Sequence, residues 1–198
     1  MHDRLKALDN PWAIRIEGMY SPRADWRRYD PTHAAFANIE RGRGERLKMV
    51  RYDETGVIHR WIFRRYGIAL LGPPPQTLAN PVTPDDLRQA ARAILPAWAE
   101  GLLADPSYLQ IHDYQCYVVL SVCRILYTIH HGEVVPKATS ANWATKSLPA
   151  CWRPLIERAW VGRMVSKGNA PLEDIQSTLD FLRYALEHRH PEFHPARA

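Results

Sequence analysis

Apolar and polar positions change their period along this chain of 198 residues, and the change divides it. Residues 12–20, WAIRIEGMY, alternate. Ile14 and Ile16 fall on one side, Arg15 and Glu17 on the other, which is the two-residue period of a strand. Residues 21–45 are polar and irregular, and an extended stretch returns near Leu47–Tyr52. ETGVIHRWIFRRYG then predicts a helix of about three turns, with Val57, Trp61, Ile62 and Tyr66 near one face and Gly67 placed to end it. IALLG at 68–72 is short and apolar, as a buried strand would be. In GPPPQTLANP three prolines after a glycine argue against regular structure.

Beyond that stretch every signal is helical. Thr83 is a natural N-cap, Pro84 suits the first helical position, and Asp85 and Asp86 complement the positive end of a helix dipole. Pro96 would kink or divide this helix. DPSYL reads as a turn. The longest apolar helix runs from about Asp113 to His131 and stops at Gly132. Thr139 or Ser140 can cap a short helix ending near Leu148-Pro149, and two more follow at about 152–165 and 172–189, the last opened by Pro171. The expectation is an α+β protein. A partial sheet region spans residues 1–80, an all-helical bundle spans 82–190, and a frayed tail spans 191–198. No internal repeat or low-complexity segment interrupts it.

Composition narrows the class. Forty-six percent of residues are hydrophobic, enough for a packed core. The formal charge of +5 suits an anionic ligand, but Lys and Arg are interspersed with Asp and Glu, which argues against a nucleic-acid surface. The basic group Arg41, Arg43, Arg46 and Lys48 has no interleaved aromatic residues and reads as a solvated loop. Cys116, Cys123 and Cys151 form no CxxC pair. Two of them sit in an apolar helix, which fits buried thiols in a reducing compartment and a cytoplasmic protein. No apolar run reaches membrane-spanning length, and the start lacks the apolar core of a signal peptide.

The candidate chemistry lies on the long helix. Tyr114, Val118, Ser121, Val122, Ile125 and Ile129 form one stripe; Tyr117, Leu120, Arg124, Tyr127 and His131 form its neighbour. Arg124 therefore sits among apolar side chains and needs an anionic partner. That partner is either a carboxylate such as Glu133 or Glu157, or a ligand. Lys137 follows Pro136, thirteen positions after Arg124. A lysine point charge beside an arginine fork is a common way to hold phosphates. The bland alternative is a solvated loop lysine. His188, His190 and His194 have the composition of a metal tract but fall in the expected tail. The tryptophans read mainly as core.

Several segments in order carry a resemblance: GIALLGPPPQTLANPVTPDDLRQA, VLSVCRILYTIHHGEVVPKATSANWA and LPACWRPLIERA. The chain resembles the aminoglycoside O-nucleotidyltransferases of the streptomycin/spectinomycin adenylyltransferase group, over roughly Ile14 to Arg163. The Leu-Gly-Pro-Pro loop, Arg124 with Lys137, Asn142-Trp143-Ala144 and Arg153-Pro154-Leu155-Ile156 are its most specific parts. The resemblance implies adenylyl transfer from ATP to an aminoglycoside hydroxyl. It places Arg124 and Lys137 on the ATP phosphates, Glu17 as catalytic base, and Asp113 or Tyr114 at the amine-rich substrate. Where that group has a nucleotide-contacting tyrosine this chain has Arg163, with Trp160 nearby.

One departure bears on catalysis. The group begins with a Gly-Ser turn and an Asp-x-Asp strand that holds magnesium across the phosphates. This chain has neither, and Asp85-Asp86 belongs to a helix start. Either the metal-binding part lies outside this chain, or the protein binds a nucleotide or similar ligand without turning it over. Missing strands would also leave an unpaired sheet edge along Ile14–Tyr20 and invite self-association. A third reading rests on the R-x5-H spacing from Arg124 to His130, which resembles the helical HEPN ribonucleases.

Overall fold

A computed structural model describes residues 2–8, 10–40, 45–52, 55–164 and 168–190. Arg41, Arg43, His194 and the tail 191–198 lie outside the described residues, as does the side chain of Ile14. The chain separates into two compact units, Met1–Pro81 and Val82–Ala198.

The first unit holds helix α1 (His2–Lys6), strand β1 (Gly18–Tyr20), helix α2 (Arg23–Arg27), strands β2 (Ala35–Ile39) and β3 (Lys48–Arg51), and helices α3 (Thr55–Tyr66) and α4 (Pro75–Leu78). The strands form one antiparallel sheet in the order β1-β2-β3, with Gly18 opposite Ile39 and Ala35 opposite Arg51. With both strand pairs antiparallel among the described residues, this is α+β architecture. The alternating stretch 12–20 yields a strand only over its last three residues. Ala13–Arg15 forms a 3₁₀ turn, and Glu17 sits just before β1. Residues 21–45, expected to be irregular, contain α2 and β2.

Arg60 organises this unit. It is 3% exposed. Its Nε donates to Trp26 O at 2.8 Å, Nη1 to Gly56 O at 2.9 Å and Nη2 to Asp25 O at 2.7 Å, and the guanidinium lies 4.7 Å from the Trp26 ring centroid. This binds α3 to α2. Gly56 makes room: a Cβ there would meet Arg60 Nη1 at 2.9 Å and Tyr29 Cδ2 at 3.1 Å. The buried face of α3 therefore centres on Gly56 and Arg60. Trp61 and Ile62 are half-buried, and Tyr66 is exposed. Arg64 donates to the carbonyls of Gln76 and Ala79 and ties α3 to α4.

Two further expectations fail here. IALLG is not a buried strand: Ile68, Leu70 and Leu71 are 85%, 96% and 97% exposed. A strand needs a neighbour for its backbone hydrogen bonds, and none flanks this segment among the described residues. The proline-rich stretch does contain regular structure. Pro75 opens α4 because its ring presets the helical φ at the first position.

The second unit is a bundle of α5 (Pro84–Ala104), α6 (His112–His131), α7 (Lys137–Ser147), α8 (Arg153–Gly162) and α9 (Leu172–Glu187). Helix α6 is the hub, packing against the other four. Leu95, Val118, Val119, Val122, Ile156, Phe181 and Leu182 lie within its core. A complete capping box starts α5. Asp86 N donates to Thr83 Oγ1 at 3.1 Å, and Thr83 N donates to Asp86 Oδ2 at 2.8 Å. Pro96 stays inside one continuous helix. Helix α8 ends at Gly162 and α9 at Glu187, short of the expected 165 and 189.

Gly132 ends α6 in the left-handed region, at φ 66° and ψ 32°. A side chain there is barred twice, since a Cβ would meet Pro84 Cβ at 2.7 Å and Pro84 O at 2.9 Å. The next helix begins earlier than expected. Pro136, not Thr139 or Ser140, is its N-cap, so Lys137 is its first residue. Ser140 is buried, and its hydroxyl donates back to Lys137 O at 3.2 Å.

Candidate functional site

Helix periodicity puts Tyr117, Ser121 and Arg124 on one face of α6, four and three residues apart. Ser121 Oγ donates to Tyr117 O at 2.7 Å. Lys137 Nζ donates to the same carbonyl at 3.3 Å and stands 3.6 Å from the centroid of the Tyr117 ring. Burial lowers the Lys137 ammonium to about 8, and the positive charge of Arg124 adds to the shift against a small opposing effect of Cys123. Tyr117 shares a face of α6 with Arg124, so Lys137 rests on the Arg124 side of that helix. Arg124 is half-buried, and among the described residues neither cation has a carboxylate partner. The alternatives of an ion pair with Glu133 or Glu157 are not realised.

Two like charges drawn together in a half-buried site repel, and a bound anion relieves both the repulsion and the lost hydration. A polyphosphate meets those requirements: Arg124 offers a planar fork and Lys137 a point charge. Lys137 is also in the first turn of α7, where the helix dipole favours negative charge. The donor set thus fits the phosphates of a nucleotide.

The nearby residues are aromatic more than acidic. Tyr108, Tyr114 and Tyr117 form a row with centroid separations of 5.8 and 5.9 Å, and the last two rings are stacked. Asp113 is exposed in the first turn of α6, and its Oδ1 accepts Tyr114 N at 3.0 Å. Cys123 is fully enclosed and its thiol is pushed up to about 12 by burial, which keeps it protonated and unreactive.

The other expected positions have contacts of their own. Glu17 belongs to the first unit, where its charge and that of Glu40 raise the Tyr52 hydroxyl after the larger effect of burial. Arg163 covers the Trp160 ring at 3.1 Å and donates to Trp160 O, so that face of the indole is already taken. Trp143 packs against Tyr127, His130 and His131, and Arg153 Nε donates to Thr145 O at 3.2 Å. His130, six residues after Arg124, lies about 120° round the helix from it and faces Trp143. The pair does not converge on one point. His188 stacks on Tyr184.

No group of three His, Cys, Asp or Glu side chains among the described residues could hold a metal ion. Asp86 is used in the capping box, and Asp85 pairs with Arg88 at 2.7 Å. Both adjacent aspartates are thus engaged at the start of α5. Sequence reasoning missed Tyr117 as part of the site. The signal was its place on the Arg124 stripe, seven residues before the arginine.

Comparison with known proteins identifies relatives of the second unit. The family model described as "Aminoglycoside adenylyltransferase, C-terminal domain" matches residues 77–186. An aminoglycoside (3'') (9) adenylyltransferase of Rhizobium radiobacter is 32% identical over 103 residues, covering 50% of this chain and 36% of that protein. Its counterpart in Klebsiella pneumoniae is 33% identical over 96 residues, covering 48% and 34%. A spectinomycin 9-adenylyltransferase of Staphylococcus aureus is 24% identical over 127 residues, covering 63% and 45%. The chain thus spans between about a third and a half of the length of the curated relatives it matches. Among solved structures, a spectinomycin adenyltransferase from Enterococcus faecialis, determined with ATP and spectinomycin, aligns at a TM-score of 0.55 and 19% identity over 72% of this chain and 53% of that one, a likeness of fold. With a match across more than half of its residues, spanning the bundle that holds Arg124 and Lys137, the chain belongs to the aminoglycoside adenylyltransferase C-terminal domain family.

Proposed function

We propose that this chain binds the triphosphate of ATP between Arg124 and Lys137 and serves adenylyl transfer to a hydroxyl of an aminoglycoside-like acceptor in the cytoplasm. The observation that carries this reading is that Lys137 and Arg124 are both half-buried, Lys137 rests on Tyr117 of the Arg124 face, and neither cation has a carboxylate partner among the described residues. Charge grows on the leaving pyrophosphate during transfer, and fixed cations aimed at it stabilise that charge. Glu17 would take the proton from the attacking hydroxyl, and Asp113 or Tyr114 would contact the acceptor. When bound, magnesium supplies charge neutralisation between the phosphates, but the described residues offer no group of three His, Cys, Asp or Glu side chains for it. That gap favours a second reading, in which the nucleotide is bound without being turned over. The edge of β1 away from β2 has no strand among the described residues, which supports self-association as a further proposal.

Calorimetry with ATP tests the binding reading. Arg124→Ala and Lys137→Ala should each weaken binding, and unchanged affinity in both overturns it. Incubation with ATP, magnesium and streptomycin or spectinomycin separates the two readings: pyrophosphate release supports transfer, and its absence with ATP bound supports binding alone. Light scattering tests association, and a monodisperse monomer rejects it.

A further inference from the structure

Lys137 is held in an unusual way for a phosphate ligand. Its ammonium rests on the face of Tyr117 and donates to that residue's own carbonyl. The ring also stacks with Tyr114 at 5.9 Å between centroids, and Tyr114 meets Tyr108 at a tilt, so Tyr117 is itself held by neighbouring aromatic rings. The carbonyl is fixed as well, because Ser121 Oγ donates to it from one turn along α6. A lysine has four flexible side-chain bonds, and locating its end group on the Arg124 face of α6 needs such a support.

We propose that Tyr117 is a positioning residue: its ring and carbonyl hold Lys137 Nζ on the Arg124 face of α6, and this hold sets how tightly the pair grips the phosphates of a nucleoside triphosphate. The inference rests on the nucleotide reading above. The aromatic quadrupole favours the charged ammonium, while burial and Arg124 oppose it. The charged and titratable groups facing Nζ among the described residues are Arg124, Cys123 and Tyr117, all from α6. Removing the ring's π face while keeping its apolar cover leaves the ammonium desolvated with only the residue 117 carbonyl to compensate. The proton then leaves at lower pH, and phosphate affinity falls with it.

The test compares Tyr117→Leu with Tyr117→Phe in the whole chain. Tyr117 is half exposed, so both variants should fold, and thermal melts check this. By calorimetry at pH 7 the leucine variant should bind ATP about tenfold more weakly, and the phenylalanine variant about as wild type. In wild type, ATP affinity should decline as pH rises through about 8; in Tyr117→Leu the decline should begin at lower pH. A packing role would not move that profile. Acetylation of Lys137 by acetic anhydride, followed by mass spectrometry across pH, reads the same hold without nucleotide. Its onset should move down in Tyr117→Leu and return in Tyr117→Phe. Wild-type binding with an unchanged leucine profile in both measurements overturns the proposal. A chain that binds no ATP but shows the acetylation shift retires the nucleotide reading and supports the hold on Lys137.

Discussion

Arg60 and Arg124 are both arginines drawn in from solvent on helices, one in each unit, and their surroundings are opposite. Each guanidinium nitrogen of Arg60 donates to a backbone carbonyl, and an indole covers the group. Arg124 has no ion-pair partner among the described residues and lies on the face of α6 where Lys137 rests. Burial of a charge therefore does not mark a site by itself. Arg60 spends its hydrogen-bonding capacity inside the protein and acts as a crosslink. Arg124 has no such internal partner among the described residues, and the proposal assigns it to a ligand.

The contrast can be broken in four places. The largest effect should come from Arg60→Ala, which leaves three carbonyls without their donor and empties the space over Trp26. A loss of about 3–4 kcal/mol is expected by urea denaturation. Arg124→Ala should leave stability nearly unchanged yet weaken ATP binding ten- to a hundredfold in calorimetry, about 1.4–2.7 kcal/mol. If both variants lose stability alike, the distinction between crosslink and receptor fails.

Lys137→Met sharpens the comparison through pH. The folded-state ammonium titrates at about 8 against an ordinary value of 10.5. Below about pH 8 it is charged in both folded and unfolded chains, so the cost of burying it is present in full. Between 8 and 10.5 the folded state sheds its proton first and that cost fades. The methionine variant should therefore be more stable at pH 7, by about 1–2 kcal/mol after discounting for partial exposure. The advantage should disappear toward pH 10.5 in thermal melts recorded across that range. The smallest effect is Asp86→Ala, which removes half of the capping box at α5 and should cost about 1 kcal/mol without altering ATP affinity.

What the sequence disclosed depended on how local the cause was. Thr83, Pro84 and Asp86 mark the start of α5, and Gly132 the end of α6, because caps act within one turn. Lys137 as the start of α7 was hidden, since Pro136 caps it by backbone direction alone while Thr139 and Ser140 offered better side chains. Strand β2 escaped because AFANI carries alanine and asparagine, weak strand formers, and forms by pairing on both sides. IALLG failed in the other direction: its composition suits a strand, but pairing is a property of neighbours. At the site, the helical period placed Arg124 and Tyr117 on one stripe. It could not show that Lys137, across a turn, comes to rest on that tyrosine.

The turn at Gly132 has one more implication, for anyone who would transplant the cation pair. Its backbone is left-handed and pressed against Pro84, and three residues separate it from Pro136. One inserted residue could displace the head of α7 by up to about 3.5 Å, as far as the whole reach of the Lys137 contact to Tyr117. Residues 117–137 would have to travel into a new scaffold as a single cassette, together with the α5 start that braces their bend.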